Sequence, residues 1–196
     1  MSFMQFSSNI YDQSPDNIQV GNHRISLRNS IKFLVITIES SLNWRIHTEQ
    51  INSKLNSLGY MLRILRPILS LNIIKQIYFS YVHSVLNYGI IFWGNSPHNK
   101  TIFKTQKWIE RIIMKVKAED SCREMFCKLG ILTLYSQYIY STLMFVVKHK
   151  DICTLNVELH NLNTRHRFDL HVPWVTLTKV QKGAYYSTPY LPVLKV

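Results

Sequence analysis

Two periods of apolar residues divide this chain. Up to residue 38 the apolar positions alternate or run together: Ile18 and Val20, then Ile25 and Leu27, flank a Gly21-Asn22 pair that suits a two-residue hairpin. Ile31 to Ile38 is nearly all apolar and β-branched, and reads as a third strand. From Trp44 onward the spacing becomes helical. Ile51, Leu55, Leu58, Leu62 and Leu65 recur at steps of four and three, Asn43 is placed as an N-cap, and Arg66-Pro67 closes the segment. A second helix is expected from near Asn72, carrying Ile74, Ile77, Tyr78, Tyr81, Val85 and Tyr88 until Gly89 ends it. Ser121-x-x-Glu124 has the form of a capping box ahead of a short fourth helix that Gly130 terminates. A fifth runs from about Ser136 to His149, with Lys148, His149 and Lys150 at its negative end.

The third helix of the series is the unusual one. On a wheel of 100° per residue, Lys100, Lys104, Lys107, Arg111 and Lys115 fall within roughly 80° of one another, with Trp108 at their edge. Ile102, Ile109, Ile112, Ile113 and Val116 take the other side. A row of cations on a helix is ordinarily its solvated face. Here the apolar stripe backs the helix onto a core and holds the row in place, so that it can follow a phosphate backbone.

The pattern as a whole predicts an α+β, mostly α chain: a β-rich stretch over residues 1-40, a bundle of about five helices over 41-150, and an irregular tail over 151-196 with Pro173, Pro189 and Pro192. Across its 196 residues, 46% hydrophobic content supplies a core, which excludes wholesale disorder. The net charge of +12 is uneven, being zero over residues 1-40 and +5 over each of 41-100 and 101-150. That excess points to an acidic partner, a nucleic acid before a membrane surface, because the apolar residues are committed to cores. No apolar run reaches the roughly 18 residues of a membrane span, and the N-terminus lacks a signal-peptide layout, so an intracellular protein is expected.

Other chemistry finds little support. The three cysteines, Cys122, Cys127 and Cys153, form no C-x-x-C pair, and Cys153 with His160, His166 and His171 matches no common zinc spacing. The six glycines make no phosphate loop. His47 and His83 lie within helical segments, where a lone histidine is most often a packed or partly exposed structural residue.

Blocks spread over nearly the whole chain resemble the region downstream of the catalytic palm in reverse transcriptases of jockey-like non-long-terminal-repeat (LINE-type) retrotransposons. They are Phe33-Leu34, Ile36-Thr37-Ile38, Ser41-Leu42-Asn43-Trp44 with His47, and Asn87-Tyr88-Gly89-Ile90-Ile91-Phe92-Trp93-Gly94-Asn95-Ser96. Gln106-Lys107, Arg111-Ile112-Ile113, Asp120-Ser121-Cys122-Arg123-Glu124, Asn163-Thr164-Arg165 and Lys182-Gly183-Ala184-Tyr185-Tyr186-Ser187 continue the series.

The resemblance implies a palm remnant over residues 1-40, a helical thumb, and a grip on RNA or an RNA-DNA hybrid. In the complete parent enzyme, closely set carboxylates hold Mg²⁺ for polymerisation. They come from an Asp-bearing strand and a Tyr/Phe-x-Asp-Asp turn, both upstream of the segment matched here. This chain has no Asp-Asp pair, so it has no catalytic residues of its own and no metal or other cofactor is expected in it. By this reading it is the back part of a polymerase detached from its catalytic front, with Lys100, Lys104, Lys107, Arg111 and Lys115 as nucleic-acid contacts, joined by Arg63 and Arg66. Trp93 and Trp108 are candidates either to stack on a base or to plug the space between helices.

Two departures stand out. Val35 replaces the glycine that follows the family's Phe-Leu pair, which bears on close approach of the backbone to a primer. The block ending at Ser187 runs at once into Thr188-Pro189-Tyr190-Leu191-Pro192, shorter than in the family. Alternatives to a binding module are therefore the accessory half of a polymerase that needs a separate palm-containing chain, and a mobile-element remnant without function.

Overall fold

Alternation around residues 21 and 22 yields the expected pairing. In the computed structural model, β1 (Ser2–Phe3) lies parallel to β3 (His23–Leu27), and β2 (Asn17–Val20) pairs antiparallel with β3, Val20 opposite His23 and Asn17 opposite Ser26. The residues described are 2–6, 17–20, 23–149, 154–160, 164–171 and 174–176. Gly21-Asn22, Lys150, Cys153, Asn163, the three tail prolines and the block from Lys182 lie outside them.

The apolar run from Ile31 to Ile38 is two strands rather than one. A turn at Leu34 and Val35 splits it into β4 (Ser30–Phe33) and β5 (Ile36–Glu39), with Phe33 opposite Ile36. A two-residue hairpin loop of type I′, whose twist matches that of the strands, has positive φ at both positions, and Leu34 and Val35 comply at 44° and 70°. Val35 is thus held in a left-handed conformation. For a β-branched residue that conformation is strained.

Helix α1 (Arg45–Leu65) buries Ile51, Leu55 and Leu62, with Leu58 and Leu65 half-covered, as the spacing predicts. Asn43 stands one residue before its cap position, which Trp44 occupies at φ 64°. The Asn43 side chain still accepts from the Arg45 N–H at 2.9 Å, and Glu39 accepts from the Ile46 N–H at 3.3 Å, so strand β5 helps to start the helix.

The second helix carries a feature the pattern did not announce. α2 (Leu71–Ile77) continues through a π-helical stretch, Tyr78–His83, into α3 (Ser84–Asn87). Its buried residues are Ile74, Tyr78, Val82 and Leu86, a strict step of four. Such a row drifts around a regular α-helix by about 40° per step, and the wider π turn takes up that drift. The expected stripe through Tyr81 and Tyr88 is accordingly turned out, leaving those side chains 55% and 49% exposed.

Gly89, at φ 61°, then separates α3 from the single turn α4 (Ile90–Trp93). Three helices complete the body: α5 (Asn99–Met114), α6 (Arg123–Leu129) and α7 (Leu134–Lys148). The capping box at α6 does not form. Cys122 occupies the cap, and the Ser121 hydroxyl accepts instead from the Arg123 N–H at 3.4 Å; Gly130, at φ 63°, ends the helix as expected. Helix α7 starts two residues earlier than its pattern suggests because the Thr133 hydroxyl caps it by accepting from the Ser136 N–H.

The expected five helices are therefore present, and the fold is α+β and mostly α. Within the tail, a turn of helix, α8 (Asn156–Leu159), sits beside an antiparallel bridge between Leu155 and Leu170. Among the described residues no single helix is long and apolar enough to cross a membrane; α6 and α7 pass that test only as a pair, bent by 51°.

The core lies between α1, the α2–α3 helix and α5, closed at one end by α6 and α7. Trp93, Tyr78, Leu55, Leu62, Ile102 and Ile109 are fully buried within it. Each such side chain contributes about 1.5–3 kcal/mol. Helices α1 and α5 pack tightly against each other. A Cβ on Gly59 would stand 2.1 Å from the Trp108 ring, so only glycine lets the two helices meet here.

Candidate nucleic-acid interface

Helix α5 has a buried face of Ile102, Thr105, Gln106, Ile109, Glu110 and Ile113, and polar groups fix its rotation. Gln106 uses its amide fully: Nε2 donates to the Tyr78 hydroxyl at 3.1 Å and to the Leu132 carbonyl at 3.0 Å, while Oε1 accepts from the Leu134 N–H at 2.9 Å. Thr105 donates to the Asn52 side chain of α1 at 2.6 Å. The helix is thereby tied to α1, to the π turn and to the start of α7. Its outer side cannot roll without breaking these bonds.

Lys100, Lys104, Lys107 and Arg111 occupy that outer side in steps of four, three and four. Lys100 and Lys104 are exposed, whereas Lys107 and Arg111 are half-buried. Lys107 Nζ lies 4.7 Å from the centre of the Phe103 ring, a cation–π contact that holds the chain close to the helix. Among the described residues none of these cations is in a salt bridge.

Lys115 is placed differently from the other four. It leaves the helix in a left-handed conformation, φ 56°, with its N–H bonded to Ile112 O at 3.3 Å and the Val116 N–H bonded to Arg111 O at 3.2 Å. This pair of bonds is a Schellman stop. The wheel had extended α5 to residue 115; the stop takes Lys115 off the row and turns it toward the end of α1. Ile112 and Val116 follow, half-buried at the margin instead of lying in the core.

That turn creates a recess of about 400 Å³. Arg63 of α1 and Arg66, the residue just past its end, meet Arg111 and Lys115 there, against a wall of Pro67, Trp108, Ile112, Val116 and Ala118. Arg63 lies over the Trp108 ring at 5.2 Å. Arg66 Nε donates to the Ile113 carbonyl at 2.5 Å, which anchors its fork at the α5 terminus. Arg111 donates one Nη2 bond to the Asp120 carbonyl at 3.2 Å, and its Nε is a buried donor without a partner among the described residues. Among the described residues no carboxylate side chain lines the recess.

The two tryptophans therefore separate. Trp93 is fully buried, its Nε1 donating to the Tyr88 carbonyl at 3.0 Å, and serves as a plug. Trp108 stands at the cationic edge.

Beneath the row lies a group that the sequence pattern hides. Glu110 is wholly buried, neither carboxyl oxygen has a partner among the described residues, and burial pushes its pKa up to about 9 against a smaller opposing pull from Arg111. It is neutral at pH 7 and adds no negative charge under the cations.

The histidines take structural places. Buried His47 accepts at Nδ1 from the Thr37 N–H at 3.4 Å, a backbone contact linking α1 to β5, and burial and then Lys54 lower its pKa. His83 packs its ring on Phe79, 5.4 Å between centres, and burial lowers its pKa as well. His166 pairs with Asp169 at 2.8 Å and His160 packs against His171, with no cluster of metal-ligating side chains among the described residues.

Comparison with protein-family models, with curated proteins and with solved structures finds no match.

Proposed function

We propose that this chain is a nucleic-acid-binding module, the thumb-like part of a non-long-terminal-repeat retrotransposon reverse transcriptase that lacks the catalytic carboxylates. The family reading rests on the blocks of residues that resemble those enzymes. The binding reading rests on one observation: a row of cations on α5, without salt bridges to described residues, on a helix whose rotation is fixed by buried hydrogen bonds. A surface held this way meets a polyanion with little side-chain ordering left to do. The partner is RNA or an RNA-DNA hybrid, held through its phosphates without regard to sequence.

Fluorescence anisotropy of a labelled RNA-DNA hybrid across a salt series tests this. Five engaged cations give a slope of log affinity on log salt of about −4, and changing Lys104, Lys107 and Arg111 to Ala flattens it by about 3. A folded chain that fails to bind the hybrid at low salt contradicts the reading.

The apolar hollow between the β4–β5 hairpin and α4 favours a second reading, an accessory half that docks on a separate palm-containing chain. Phe33 and Leu34 are 62% and 68% exposed there. Co-purification with such a chain, lost on changing Phe33 and Leu34 to Ser, is its test.

A further inference from the structure

The recess at the end of α5 differs in kind from the row that leads to it. Along the row the cations come one per helical turn, a spacing of roughly 5 Å that suits phosphodiesters carrying one charge each. In the recess Arg63, Arg66, Arg111 and Lys115 converge on a single hollow. Four like charges gathered with no carboxylate among the described lining residues repel one another, and an internal phosphodiester offsets only one of them. A terminal phosphate monoester carries nearly two charges at neutral pH and three acceptor oxygens. Arginine forks match those oxygens in pairs. Pro67 and Trp108 complete the hollow with apolar surface on which a sugar or base can rest.

We propose that this recess is an end-binding site, taking the phosphomonoester and the last nucleotide of a nucleic-acid strand. The proposal deepens the nucleic-acid reading and rests on it. The row holds the body of the strand, and the Schellman stop that turns Lys115 out of the row sets where the strand ends. Arg66 is anchored by the Ile113 carbonyl, so its fork is held in place before any ligand arrives.

Competition between matched oligonucleotides that differ only in a terminal phosphate or hydroxyl, made separately for the 5′ and the 3′ end, tests this on the full chain. The expected result is a preference of about tenfold for the phosphate at one end, as for a charge-assisted hydrogen-bonded group. Inorganic phosphate added at constant ionic strength should erase the preference without abolishing binding. Arg63→Ala with Lys115→Gly should remove the preference, weakening the phosphate-ended strand about tenfold more than the hydroxyl-ended one; the glycine suits the left-handed position and protects the fold. Lys100→Ala with Lys104→Ala should weaken both strands alike. Equal binding of phosphate and hydroxyl ends by the parent chain overturns the end site and leaves the module standing. Binding of neither strand by the folded chain overturns both.

Discussion

Two hollows of similar size mark this molecule, about 400 Å³ at the end of α5 and about 490 Å³ beside the β4–β5 hairpin. The first is ringed by four cations and built on helices whose packing is close enough to require Gly59. The second is lined by Phe33, Leu34, Ile36, Ile38, Trp44, Tyr88, Gly89 and Phe92, and one wall is a hairpin with a strained turn. Volume therefore says little about what each can hold. The lining and the rigidity of its support decide: one suits a phosphate, the other apolar surface alone. The cationic hollow is also the better held, because its supporting helices share a core that the hairpin does not enter.

The largest expected effect breaks the support of the cationic hollow. Ile109→Ala empties a fully buried position on the inner face of α5 and should cost about 2–5 kcal/mol in urea unfolding, with nucleic-acid binding lost in step. Fully retained binding at such a cost would show that the row needs no backing.

Next comes Glu110. Its pKa is about 9 folded and near 4.5 unfolded, so the folded state holds the proton over a range where the unfolded chain has released it. Stability should be greatest below about pH 4.5 as far as this group is concerned, and fall as pH rises toward 9, by a few kcal/mol in all. Glu110→Gln should remove that fall, as read from melting temperatures between pH 5 and 9. A parent profile that rises across this range, with the variant following it, would mean that Glu110 is charged and paired.

The smallest effect concerns the apolar hollow. Val35→Gly relieves a left-handed β-branched residue and should stabilise the chain by about 1 kcal/mol, while Val35→Ile gives no gain. Destabilisation by glycine would show that the exposed Val35 side chain contributes more than its backbone costs.

These sites were unevenly legible in the sequence. The stripe of α1 was readable because Ile51, Leu55, Leu58, Leu62 and Leu65 follow the period of an isolated helix. The π turn was not, since Ile74, Tyr78, Val82 and Leu86 sit at a spacing that an α-helix also tolerates over two steps. The division of the third strand was hidden because Leu34 and Val35 are poor turn residues with positive φ, where Asn-Gly would have announced it. Four cations of α5 stand where the wheel puts them. The recess was only hinted at: Arg63 and Arg66 reach Arg111 through the tertiary fit of Gly59 against Trp108, which no local pattern encodes. Glu110, lying between Ile109 and Arg111, reads as part of a solvated face. Only its phase with Ile102, Gln106 and Ile113 betrays that it points inward.

The most direct test of the cationic surface is the acetylation rate of each lysine, measured by mass spectrometry with and without a saturating RNA-DNA hybrid. Slower modification of Lys100, Lys104, Lys107 and Lys115, with Lys32 on β4 and the Glu124-paired Lys128 unchanged, is the predicted result. Uniform slowing of all lysines, or protection confined to those outside α5 and its recess, would contradict it.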